Sequence, residues 1–122
     1  MVVGTVRLRL HIPGAQSLKD RRAVVRRATD RVRARFNVSI AEVGDSSRWQ
    51  VVTLGVAAVA NDHAFVSEVL DRVVSQVASA VAGQAFVTGR ETEVETREDS
   101  VAMGDFTAFE AKVGDGDDDD KA

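Results

Sequence analysis

Between His11 and Phe36 the chain reads HIPGAQSLKDRRAVVRRATDRVRARF, with eight Lys or Arg residues against two acids. Cations at this density can displace the counterions that surround a polyphosphate backbone. Leu18, Val24, Val25, Ala28, Val32 and Phe36 recur at helical spacing, and at ~100° per residue they fill one arc of a helix. Lys19, Arg22, Arg26 and Arg33 cluster beside that arc. Arg27 and Arg31 lie further round, while Arg21 and Arg35 sit near the apolar edge, where their heads must snorkel to water. A solvated helix face is the competing explanation, since Arg is a good helix former. Two acids leave most of these cations without an intrahelical partner, so RNA or a ribonucleoprotein is the leading reading and an acidic protein partner the next.

Arg7, Arg9 and His11 alternate through VRLRLHI and would extend the basic patch over the end of a sheet. His11 falls at a strand end beside a helix N-terminus, where anions bind well. His11 and His63 are far apart, and without cysteine or an HxH or HxxxH spacing no metal is expected. No GxSxG, Walker or GxGxxG pattern occurs. Ser17 and Lys19 have the types of a nucleophile and base, but a serine just before an apolar helix accepts a backbone N–H as its cap. Asp45 near His11 has no substrate pocket behind it. The expectation is a protein that is not an enzyme and carries no cofactor.

Those residues need a scaffold, and the pattern supplies six elements. Residues 2–12 alternate apolar and polar, a half-buried strand that Pro13 and Gly14 end. Ser17, with Asp20 three residues on, approximates a capping box and opens a helix over 17–35. Residues 37–43 alternate again, and Gly44, Asp45, Ser46 and Ser47 are turn formers. The long apolar run 49–60, WQVVTLGVAAVA, suits a central strand paired to the previous one as a hairpin. Asn61 or Asp62 caps a second helix with Val66, Val69, Leu70, Val73, Val77 and Val81 on its buried stripe, and Gly83 fits its C-terminal cap. Residues 85–96, with Glu91, Glu93 and Glu95 on one side, read as an edge strand.

This order predicts an α+β, ferredoxin-like βαββαβ sandwich: a four-stranded antiparallel sheet with both helices on one face and the first and third strands central. The open face would show Arg7, Arg9 and His11 beside Thr53, Gly55 and Ala57, with none of the aromatics on which RNA-recognition sheets stack bases. Trp49 is the one candidate, and a tryptophan there is expected in a hydrophobic cluster. The open face could instead carry a homodimer, with Val51, Ala57 and Val59 supplying apolar area.

One domain over residues 1–97, followed by an acidic tail over 98–122 expected to be disordered, accounts for the 122 residues. Phe106, Phe109 and Val113 are the tail's only sizeable apolar cluster, and DDDDK at 117–121 reads as native acid rather than an appended protease site. Hydrophobic content is 44% and cysteines number zero, compatible with a reducing cytoplasm. No apolar run approaches the ~20 residues that span a bilayer, and no membrane role is expected. Net charge is −3, but residues 1–40 hold ten Lys or Arg and two acids, a net +8, while residues 41–122 hold six and seventeen, a net −11. The acidic tail could therefore compete with a polyanion for the basic helix.

At HIPGAQSLKDRR, followed by FNVSIAEVGD, WQVVTLGVAAVAND and VLDRVV, the chain resembles the YlxP-like family of small bacterial proteins, over about residues 1–96. The resemblance implies a ferredoxin-like domain of unknown function. It also implies genes set among those for a transcription termination/antitermination factor, a translation initiation factor and ribosome-binding factor A, and hence a place in ribosome assembly or translation. The family pattern transfers to His11, Ser17, Leu18, Lys19, Asp20, Arg21 and Arg22, and to Asn37, Ser39, Glu42 and Val43. The His-Gln pair usual in the family's hairpin is replaced here by Gly44, Asp45, Ser46, Ser47 and Arg48, and the acidic tail has no counterpart. Taken together, the expected ligand is RNA or a ribosomal subunit, with Lys19, Arg22, Arg26 and Arg33 on phosphates and Arg7, Arg9 and His11 extending the patch.

Overall fold

Alternation in β1 (Val2–His11) sends Val2, Gly4, Val6, Leu8 and Leu10 into the core and Val3, Thr5, Arg7, Arg9 and His11 to the opposite face. The computed structural model describes residues 1–44 and 48–97. Asp45, Ser46 and Ser47 and the acidic stretch 98–122, with its Phe106, Phe109 and Val113, lie outside the described residues. After β1 come α1 (Leu18–Arg35), β2 (Ser39–Val43), β3 (Val51–Ala60), α2 (His63–Ala80) and β4 (Phe86–Thr96).

The sheet order is β2-β3-β1-β4 and every neighbouring pair is antiparallel. β1 and β3 are therefore central, as their apolar runs require. Both helices cover the face to which Leu8, Leu10, Val52 and Leu54 point, and Val32, Leu70, Val73 and Val77 meet those side chains fully buried. Burying each such side chain is worth roughly 2 kcal/mol. Gly4 marks the closest approach of α2 to the sheet: a Cβ there would lie 2.4 Å from Val66 Cγ1 and 2.9 Å from Leu70 Cδ1.

Element ends differ from the sequence pattern by a residue or two. Trp49 and Gln50 belong to the turn before β3. The Ile12 N–H still donates to the Gln50 carbonyl at 2.8 Å, but the Ile12 carbonyl is turned to the loop and accepts from the Ala15 N–H at 3.1 Å, so the ladder stops at His11 and Val51. Gly44 and Gly83 have φ of 81° and 88°, a backbone that side chains other than glycine's rarely adopt. In β4 the register slips between Arg9 and Leu10; the extra residue, Thr88, donates its hydroxyl to the Arg9 carbonyl at 3.3 Å. That bulge and the exposed Glu91, Glu93 and Glu95 blunt this edge against pairing with another strand.

Candidate nucleic-acid interface

The N-terminus of α1 is pinned by two reciprocal bonds. Asp20 N–H donates to Ser17 Oγ at 3.2 Å, and Gln16 N–H donates to Asp20 Oδ2 at 3.0 Å. The acid thus reaches one residue further back than in a standard capping box, and Ser17 Oγ is occupied as a cap acceptor.

From this fixed start the cations of α1 separate into two groups. Arg21 faces inward and is 4% exposed. Its guanidinium bonds the Glu42 carboxylate on β2 and approaches the Val51 carbonyl at 3.4 Å. Position 21 therefore lies within the buried arc rather than at its edge, and the side chain does not snorkel; a carboxylate from the neighbouring strand meets it instead. Lys19, Arg22 and Arg26 are exposed, and no carboxylate pairs with them among the described residues. Arg33 is exposed too and donates to the Ile40 carbonyl of edge strand β2 at 2.8 Å. Arg27 is held by Gln84 Oε1 at 2.7 Å. Lys19 stands in the first turn, at the positive end of the helix dipole, a placement that disfavours the fold by about 0.5 kcal/mol. The exposed face keeps its positive charge because its hydrogen-bond partners are neutral.

Arg7, Arg9 and His11 do not continue this face. They project from the sheet surface opposite the helices, since period two places odd-numbered residues of β1 there. Arg7 bonds Glu91 at 2.5 Å, directly across the ladder. With both side chains largely in water the pair adds under ~1 kcal/mol, but it neutralises the charge. Arg9 has no carboxylate partner among the described residues. Only His11 reaches the sheet end at which α1 begins. The patch expected to run from α1 over the sheet thus becomes two surfaces, joined at His11.

At that end the structure departs from the sequence reading of Trp49. The indole is 48% exposed and stands outside the core. With His11, Ala15, Arg48, Gln50 and Val51 it lines a cleft of about 410 Å³. Arg48 and Gln50 had no signal beyond their types; an aromatic between two polar residues in a turn was the available clue. His63 lies at the far end of the sheet, since it follows Ala60, which pairs with Val2 rather than with His11. Among the described residues no three His, Cys, Asp or Glu side chains gather as a metal would require, and no helix is long and apolar enough to cross a membrane.

Comparison with known proteins agrees with this architecture. The family described as "Protein of unknown function (DUF503)" matches residues 3–88. The uncharacterized protein YlxP of Bacillus subtilis (strain 168) is 37% identical over 78 residues, covering 64% of this chain and 85% of that one. Among solved structures, a de novo designed protein with ferredoxin fold superposes with a TM-score of 0.52 at 15% identity, covering 84% of this chain and 94% of the design. A putative antibiotic biosynthesis monooxygenase from Chloroflexus aurantiacus gives 0.51 at 12% identity, over 84% of this chain and all of that one (100%). At such identities the likeness is one of fold.

Proposed function

The chain belongs to the DUF503 family of proteins of unknown function, and for this member we propose that the exposed cationic face of α1 binds structured RNA within a ribonucleoprotein. The observation that carries this reading is the separation of charges on α1. The one arginine that meets a carboxylate, Arg21, is turned inward, and Lys19, Arg22 and Arg26 stand outside without one among the described residues. Cations spaced three and four residues apart along a rigid helix can follow a phosphate backbone, each contact releasing condensed counterions. Arg33 extends the row towards the edge of β2. The YlxP-like resemblance makes ribosomal RNA the first candidate. The test is sedimentation with ribosomal subunits. Arg22→Glu with Arg26→Glu should abolish co-sedimentation while the circular dichroism spectrum stays the same; retained co-sedimentation removes this face from consideration.

A second reading concerns the open sheet face, which would pair with a second copy of the chain. It is favoured by uncovered apolar side chains, with Val59 62% and Val43 38% exposed. It is favoured also by opposite charges on that face, Arg9 on β1 and Glu93 on β4, neither paired among the described residues. Two such faces related by a two-fold axis could set each charge against its opposite.

A further inference from the structure

The cleft at the start of β3 has a composition that the helix face lacks. Its walls are fixed to the loop between β1 and α1: Ile12 N–H donates to the Gln50 carbonyl at 2.8 Å, Gln50 Nε2 donates to the Pro13 carbonyl at 3.3 Å, and Ala15 N–H donates to the Ile12 carbonyl at 3.1 Å. On this held turn Trp49 leaves nearly half of its surface in water, although a tryptophan on a folded domain normally covers apolar neighbours. Arg48 beside it is exposed with no carboxylate partner among the described residues, and His11 faces it from the end of β1. Among the described residues no acid lines the cleft. A flat π surface flanked by an arginine and an imidazole suits a planar group that carries a nearby negative charge, and about 410 Å³ is enough for one such unit.

The cleft lies at the sheet end at which α1 begins, and Ala15 of the loop before the helix lines it. Val51, one of its lining residues, has its carbonyl approached at 3.4 Å by Arg21 from beneath the first turns of α1, whose outer side carries Lys19 and Arg22. A strand whose phosphates follow Arg26, Arg22 and Lys19 towards the helix N-terminus runs towards the end of the sheet that holds this cleft. We propose that this cleft takes one unpaired nucleotide of that RNA, with its base stacked on the Trp49 indole and its phosphate on Arg48 and His11. The proposal rests on the reading of α1 as an RNA-binding face and adds to it a preference for a single-stranded end or bulge, because a paired base cannot expose its face to the indole.

Trp49 is the sole tryptophan, so its fluorescence reports on the cleft alone. The full chain is titrated at low salt with adenosine 5′-monophosphate, a single-stranded oligoadenylate and a blunt RNA duplex, while the anisotropy of labelled RNA reports binding anywhere on the surface. The mononucleotide and the single strand should quench Trp49, the blunt duplex should bind without quenching, and Trp49→Ala or Arg48→Ala should weaken single-strand binding about tenfold. RNA that binds by anisotropy, leaves Trp49 fluorescence unchanged and is indifferent to both substitutions overturns the cleft and leaves the helix face standing. Quenching by the mononucleotide with no binding of either RNA keeps the cleft as a nucleotide site and overturns the helix face. Silence in every titration overturns both.

Discussion

The Arg21 guanidinium lies against the Glu42 carboxylate, joining the first turns of α1 to edge strand β2 beneath the helix. The pair lies on the inward side of α1 with the apolar stripe Val24, Ala28 and Val32, so that positions 19, 22 and 26 face outward. The buried arginine is not fully satisfied: among the described residues its Nε has no partner, which makes the bonds of its terminal nitrogens the more necessary.

Removing the acid should therefore cost more than removing an ordinary surface charge. Glu42→Ala leaves a cation that is 4% exposed without its counter-charge, and urea unfolding should show a loss of about 3 kcal/mol. Replacing both partners by apolar residues, Arg21→Met with Glu42→Leu, should recover most of that loss. A single variant with wild-type stability would mean that the pair does not anchor α1.

Gly4 sets the distance between α2 and the sheet. Gly4→Ala drives a methyl group into Val66 and Leu70 and should cost about 2 kcal/mol. In thermal unfolding this appears as a Tm lower by roughly 10 °C. An unchanged Tm would show that the helix can retreat without loss.

Binding through Lys19, Arg22 and Arg26 carries a characteristic salt dependence. Three phosphate contacts should give a slope of about −3 in a plot of log affinity against log salt concentration. Lys19→Gln should reduce the slope by about 1, uniformly across RNA sequences. Affinity that ignores salt would point away from phosphates.

The open face makes a separate prediction. Val59 is 62% exposed, so Val59→Asp should leave the fold intact. If two copies associate through this surface, static light scattering will give twice the monomer mass for the natural chain and the monomer mass for the variant. A monomer at every concentration disposes of the dimer and leaves the helix face untouched.

Much of the fold was legible from the chain. The alternation of Val6, Leu8 and Leu10, the Ser17 cap, the buried stripe of α2 and the acids of β4 each report a local periodicity, and period is what a linear sequence displays. The site was legible only in part. Arg21 looked like an edge residue because its partner, Glu42, comes from another strand that only the folded sheet brings beneath it. Charge counting joins Arg7 and Arg9 to the helix patch because it ignores the layer between them; their own alternation along β1 places them on the opposite side. The type of Trp49 points to a hydrophobic cluster, whereas the fold leaves it in the turn before β3, half exposed and outside the core.

The claim that the outer face of α1 meets RNA is tested most directly by ultraviolet crosslinking in living cells, with nucleotide adducts mapped onto the protein by mass spectrometry. Adducts on segments carrying Lys19, Arg22 and Arg26, with ribosomal RNA as the attached strand, are the predicted result. Crosslinks to proteins alone, with no nucleotide adduct anywhere on the helix, would contradict it.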